Sequence, residues 1–135
     1  MSEWNDRNQK VIDEFRANGG KISWFRSLLL LHTKGAKSGQ ERVNPVVYMQ
    51  DGDRWLIVAS KGGAPANPDW YYNIRANPRV AVEIGTETVQ AQAAVAEEPE
   101  RTRLYNKIAQ AMPIYAEYQR KTSRVIPVIV LTPLK

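Results

Sequence analysis

Two basic, glycine-bearing turns are where this chain has the means to do chemistry. Gly35-Ala36-Lys37-Ser38-Gly39-Gln40-Glu41-Arg42-Val43-Asn44-Pro45 follows one apolar segment, and Ser60-Lys61-Gly62-Gly63 follows another. Glycines let backbone amides approach a ligand closely, Lys and Arg supply charge, and serine adds a hydroxyl. That combination suits an anion, above all a phosphorylated ligand. In the first turn Lys34, Lys37 and Arg42 carry the charge, while Gly35 and Gly39 free their amides to face it. The second turn leads through residues 64–66 to Asn67-Pro68-Asp69, a helix start whose orphan N–H groups favour anions as well. Either turn alone is also what a solvated hairpin loop looks like; two with matching chemistry make that plainer reading less attractive. Neither has the G-x-x-x-x-G-K-[ST] order of a nucleotide phosphate loop.

The aromatic residues are the second resource. Trp70, Tyr71 and Tyr72 stand together, and Met112, Tyr115 and Tyr118 recur at spacings of three. Trp70 reads equally as core or as the wall of a pocket. Tyr115 and Tyr118 read less like core, because buried hydroxyls need partners. A phenol with a pKa of about 10 acts as a hydrogen-bond donor or acid at neutral pH. His32, at the end of an apolar strand, reads as a structural histidine. Glu97, Glu98 and Glu100 complement a helix dipole without any catalytic role.

Composition removes several chemistries. With no cysteine there are no disulfides, thiolate metal sites or thiol nucleophiles, which also fits a reducing cytoplasm. One histidine rules out multi-histidine metal sites and makes a Ser-His-Asp triad improbable. The formal charge of +5 suits a polyanionic ligand, or weak binding to nucleic acid. Acidic residues stand where a signal peptide needs an apolar stretch, and the run over 28–31 is too short to span a membrane.

The elements that must position these residues follow from periodicity and punctuation. A helix capped by Ser2 runs to about residue 18 and stops at Gly19-Gly20, and a connector over 21–26 carries Trp24 and Phe25. Strands are expected over 27–32, 42–49, 54–60, 79–84, 88–95 and 125–131, with Pro45 and Pro127 marking edges or bulges. Asp51-Gly52-Asp53 makes a hairpin turn and Gly85-Thr86 another. Asn67 caps a short helix ending near Ala76; a longer helix covers 97–111, and helical spacing resumes after Pro113. The expected fold is mainly β with peripheral helices (α+β): about six antiparallel strands in a small barrel, where closure removes edges. It is one domain, with residues 1–26 as N-terminal helix and connector and 27–135 as barrel. A parallel nucleotide-binding sheet is unsupported, since no G-x-G-x-x-G is present.

Taken in order, the stretches 33–45, Ala59-Ser60-Lys61-Gly62-Gly63, Asn67-Pro68-Asp69-Trp70-Tyr71-Tyr72-Asn73 and Ala76-Asn77-Pro78 resemble the deazaflavin-dependent nitroreductase family. The resemblance runs from about residue 29 to 133, with Tyr115, Tyr118 and Ile126-Pro127 matching near the end. It implies a split β-barrel of the FMN-binding type that binds coenzyme F420, a deazaflavin whose side chain ends in a phosphate, a lactyl group and an oligoglutamate. By matched position, Lys37, Ser38, Gly39 and Arg42 hold the phosphate and acidic tail, and Ala36 and Val43 also belong to the cofactor site. Asn44, Pro45 and Val46 line the cofactor's side. Val58, Ala59, Ser60 and Lys61 run along the ring and tail, and Trp70, Tyr71 and Asn73 complete the pocket. The implied reaction passes a hydride from reduced deazaflavin to a small electron-poor acceptor, without a metal. Tyr115, Tyr118 and Ser60 are the implied catalytic residues. Met112 shares the substrate pocket with the two tyrosines and stands where the best-known member has a third. Methionine keeps apolar volume but not a strong hydrogen bond, which favours quinones over bulky nitroimidazoles.

A cytoplasmic enzyme follows, with pairing into a homodimer and contact with the inner face of a membrane left open. The mixed charge of the first helix is unlike a basic membrane anchor, and burial of Trp24, Phe25 and Leu28 is expected over an apolar lip. Two other readings stand beside this one. An FMN- or haem-binding barrel would have no use for the acidic-tail cluster. A nucleic-acid barrel would interleave aromatics with basic residues on strands, whereas here the basic residues sit in turns and the aromatics on helices.

Overall fold

The computed structural model describes residues 3–20 and 28–134. Helix α1 (Glu3–Ala17) is followed by strands β1 (Leu28–Lys34), β2 (Glu41–Asp51) and β3 (Arg54–Val58). Helix α2 (Asp69–Ala76) leads to β4 (Arg79–Ile84) and β5 (Glu87–Val95). Helices α3 (Glu100–Ala111) and α4 (Ile114–Arg120) then lead to β6 (Val128–Pro133). All six strand pairings are antiparallel, and they close a barrel in the order β1-β2-β3-β6-β5-β4. This is the expected mainly-β barrel with peripheral helices.

Alternation along the strands explains which runs read as unbroken apolar stretches. In β1, Leu29 and Leu31 fill the barrel, while Leu28 and Leu30 face α1. In β3, Trp55 and Ile57 point inward, while Leu56 and Val58 join residues of α3 and α4; β6 divides in the same way. Strands covered on both faces need apolar residues at every position. On β5 only Ala91 and Ala93 are buried, and the strand reads as alternating.

Several expected boundaries move, each for a local reason. β6 begins at Val128 because the preceding segment is otherwise engaged: Ile126 O accepts from Arg101 and Pro127 O from the Ala59 N–H. α3 begins at Glu100, after Pro99, and Glu98 accepts from both the N–H (2.8 Å) and hydroxyl (2.7 Å) of Thr102. Asn67 does not cap α2, which starts after Pro68; its Oδ1 accepts from Arg124 at 2.6 Å. Pro45 pairs with Leu30, and the second ladder of β2 starts only at Tyr48, so the proline does occupy an unpaired edge. The Ser2 cap, the connector with Trp24 and Phe25, and Ser27 lie outside the described residues.

Helix α1 packs Ile12 and Phe15 on Leu28 and Leu30, so Leu28 is buried as expected. Arg16 clamps Glu83 with two bonds, and His32 lies between Glu41 (2.7 Å) and Glu83 (2.5 Å). Both ring nitrogens of His32 therefore have partners, the structural role expected of it. The Arg16 guanidinium, helped by His32, holds the Glu83 carboxyl below its ordinary range.

The topology gathers the functional segments. With β1, β2 and β3 antiparallel in turn, the turns leaving β1 and β3 lie at one end of the barrel. β4 and β6, antiparallel to β1 and β3, begin at that same end, so α2 and the link from α4 arrive there too.

Candidate active site

The first basic turn is built from its own backbone. Gly35 N–H donates to Gln40 O (2.7 Å), Gly39 N–H to Gly35 O (2.9 Å), and Gln40 N–H to the Ser38 hydroxyl (3.2 Å). Gly39 takes φ +72, and a Cβ on Gly35 would sit 2.5 Å from Ser38 Oγ. The glycine amides thus serve the turn and do not face an anion, contrary to the reading from sequence. What the turn offers is side chains. Its single acid, Glu41, is held by His32, whereas Lys37 and Arg42 are exposed and have no acidic partner among the described residues.

Asn73 anchors this turn to the barrel. Its Oδ1 accepts from Ala36 N–H at 3.0 Å and its Nδ2 donates to Thr33 Oγ1 at 3.1 Å, both ends of the amide being used within the protein. Asn73→Ala should cost about 1–2 kcal/mol, because a buried hydroxyl and a backbone N–H lose their partners. Urea unfolding measures that loss; an unchanged midpoint would mean the turn holds its shape unaided.

The second turn is the backbone site. Ser60 is right-handed (φ −78°, ψ −39°) and Lys61 left-handed (φ +47°), followed by Gly62 and Gly63 at φ +66° and +84°. A lysine at positive φ is uncommon and costs about 1–3 kcal/mol unless its surroundings enforce it. Successive residues of opposite hand curl their N–H groups into an anion-accepting concavity. Here those are the N–H groups of Ser60, Lys61 and Gly62, none of which has a partner among the described residues. The Lys61 ammonium is likewise without an acidic partner there.

The tyrosines lie beside this turn. A Cβ on Gly63 would stand 2.9 Å from Tyr118 O, so α4 packs directly against it. Tyr115 is only 8% exposed and shares an apolar cluster with Val58, Ile126 and Val128, against which Met112 and Tyr118 pack. The ring is therefore core, contrary to expectation, and Tyr118 meets it edge-on with centroids 5.6 Å apart. Tyr105 donates its hydroxyl to Tyr115 O, fixing the start of α4. The hydroxyls of Tyr115 and Ser60 have no partner among the described residues, yet no side-chain polar atom there is both sealed and unpaired. Both hydroxyls therefore keep some contact with solvent. Burial, with Tyr118 and Tyr105 nearby, pushes the Tyr115 hydroxyl up to about 12.

The site residues read from sequence thus fall into two groups at one end of the barrel. Val46, Ala59, Trp70 and Tyr71 belong to the barrel interior, with Asn73 tying Ala36 and its turn to that end. Asn44 and Pro45 are half-buried on β2, beside Val43, which packs toward α1. Val58, Met112, Tyr115 and Tyr118 form the second group, beside Ser60 and Lys61. No hydrogen bond or ion pair joins the two turns among the described residues. Sequence reasoning gave no role to Thr33, within the stretch 33–45, or to Arg124, which hold the two turns; neither stands out by type or spacing. Among the described residues no group of three His, Cys, Asp or Glu is placed to hold a metal, and no helix is long and apolar enough to cross a membrane.

Known proteins resemble this chain in sequence and share its fold. A quinone reductase of Mycobacterium tuberculosis, named F420H(2)-dependent, is 46% identical over 117 residues, covering 84% of this chain and 78% of its own. A solved F420-H2 dependent reductase superposes with a TM-score of 0.72 at 39% identity, covering 82% of this chain and 99% of its own. Another solved chain, described as a domain-swapped dimer, reaches 0.74 at 37% identity, covering 96% of this chain and 97% of its own. The family model for F420H(2)-dependent quinone reductase matches residues 7–133, all six barrel strands together with most of α1. A match of that extent, with relatives this similar over most of their length, means that the chain belongs to the F420H(2)-dependent quinone reductase family.

Proposed function

We propose that this protein is an F420H2-dependent reductase acting on quinones and similar electron-poor conjugated acceptors. The observation that carries the reading is a pair of unsatisfied anion-binding features at one end of the barrel. One is the cations Lys37 and Arg42, the other the N–H groups of Ser60, Lys61 and Gly62, all without a partner among the described residues. A cofactor with a phosphate and several carboxylates fits that donor set. Lys37 and Arg42 hold the phosphate and oligoglutamate tail, with Arg42 able to grip an oxyanion bidentately. Trp70, Tyr71 and Val46, which belong to the barrel interior but keep a margin of exposed surface, give the planar ring an apolar wall, while Ala59 is fully buried.

Reduced deazaflavin, when bound, supplies a hydride. A quinone that gains a hydride needs one proton to become the hydroquinone, and the chain's part is to orient the acceptor and deliver that proton. The Tyr115 hydroxyl keeps its proton at neutral pH and keeps some contact with solvent, its ring packed near Met112 and Tyr118. Ser60 offers a second hydroxyl on the adjacent turn. No metal enters this scheme. The dimeric relative supports pairing of this chain as well.

The purified protein should quench or shift F420 fluorescence and bind F420 more tightly than FMN. Equal or better FMN binding would overturn the reading.

A further inference from the structure

We propose that Arg124 is a positioning residue that shapes the Ser60-Lys61-Gly62-Gly63 turn for its ligand and locks it to the tyrosine-bearing helix α4. Its guanidinium spends all its reach on the turn and the segment after it. Nε donates to Ala64 O (2.9 Å), Nη1 to Asn67 Oδ1 (2.6 Å), and Nη2 to Ser60 O (2.8 Å). Ala59 O accepts from both terminal nitrogens at 3.2 Å. Among the described residues no carboxylate pairs with it, so carbonyl dipoles and one amide oxygen meet its charge.

Peptide planarity turns these contacts into a direction. In a trans peptide the C=O and the next residue's N–H point opposite ways. Drawing Ala59 O and Ser60 O toward Arg124 therefore turns the N–H groups of Ser60 and Lys61 away from it. Those are two of the three donors of the turn that have no partner among the described residues. A cation bound to the carbonyls also polarises the same peptides and strengthens their N–H groups as donors. The turn's own bonds, Gly63 N–H to Ser60 O and Ala64 N–H to Lys61 O, close it without fixing which way it faces. Arg124 supplies the external constraint that the left-handed Lys61 requires.

Arg124 is itself fixed to α4. Gln119 Nε2 donates to Arg124 O at 2.7 Å, and Gln119 Oε1 accepts from buried Arg101 (2.7 Å) and from Ile126 N–H (3.1 Å). Gly63 meanwhile lies against Tyr118 O. The anion-facing turn and the helix carrying Tyr115 and Tyr118 thus move as one body.

This inference rests on the reading of the turn as a cofactor loop, and the test separates the two. Arg124→Gln and Arg124→Lys are made in the full chain. F420 affinity is measured by fluorescence, and the amide resonances of Ser60, Lys61 and Gly62 are followed by NMR without cofactor. Arg124→Gln should weaken F420 binding by about tenfold, from the loss of charge-assisted bonds, and should shift those amides. Arg124→Lys, which keeps the charge but not the planar fork, should fall between it and wild type. Low concentrations of guanidinium ion should restore binding to Arg124→Ala, where a merely loosened protein would be weakened further. A folded Arg124→Gln with wild-type affinity and unmoved amides overturns the proposal. Should that variant not fold, Arg124→Lys with wild-type affinity and amides overturns it equally. If wild-type protein fails to bind F420, the cofactor reading falls, while the cofactor-free amides still decide the role of Arg124.

Discussion

Replacing Lys37 and Arg42 together by alanine should raise the Kd for long-tailed F420 by about a hundredfold. Each side chain is exposed, so a pair with a carboxylate or phosphate is worth about 1.4 kcal/mol, or about tenfold, rather than the full value of a buried charge-assisted bond. The fold has little stake in either residue: the turn is held by its own backbone, by Asn73 and by Ser38, and Glu41 is bound to His32. The double variant should therefore melt close to wild type. Because these charges act near the surface, their contribution should shrink as salt rises, on the scale set by a Debye length of about 10 Å at 0.1 M. It should also shrink as the oligoglutamate is shortened, and FMN affinity should change far less. Titration of F420 species differing in tail length measures the effect. An equal loss for long and short tails would remove Lys37 and Arg42 from the tail site.

How much of this was legible depended on whether a feature is local. Doubly covered β1 and β6 announced themselves as unbroken apolar runs, and Gly52 and Gly85 marked hairpins that need positive φ, at +64° and +58°. Pro45 marked an edge because a proline lacks the ladder donor wherever it sits. The misplaced boundaries have distant causes. Asn67 is a good cap by type, but Arg124, remote in sequence, takes its oxygen. Residues 125–127 look like strand, but Ile126 O is spent on Arg101 and Pro127 O on Ala59. The site shows the same division. The two basic turns were visible as composition, yet which of them offers side chains and which offers backbone depends on hydrogen bonds no pattern encodes. The resemblance to a family supplied the ligand; the amides of the second turn, unpartnered among the described residues, emerged only from the fold.

Tyr115→Phe should lower kcat for quinone reduction by about a hundredfold, the low end of what a positioned general acid contributes, while leaving F420 affinity near wild type. The substitution removes one oxygen that has no partner among the described residues, so it leaves no buried group stranded. The ring keeps its place among Val58, Ile126 and Val128, and Tyr105 still anchors the backbone oxygen of residue 115. An effect of that size would therefore report chemistry rather than packing. The pH profile gives an independent check. Burial disfavours the phenolate and pushes this hydroxyl up to about 12. The donor stays protonated far above neutrality and is lost only as pH rises through that value. Turnover by the wild-type protein should thus run flat through pH 10, where an ordinary tyrosine would be half ionised. Stopped-flow turnover at saturating cofactor, compared for wild type and Tyr115→Phe across pH 6–10, measures both effects. Unchanged turnover in the variant would take Tyr115 out of the proton path. An alkaline fall centred near pH 10 in the wild type would assign that path to a more exposed donor.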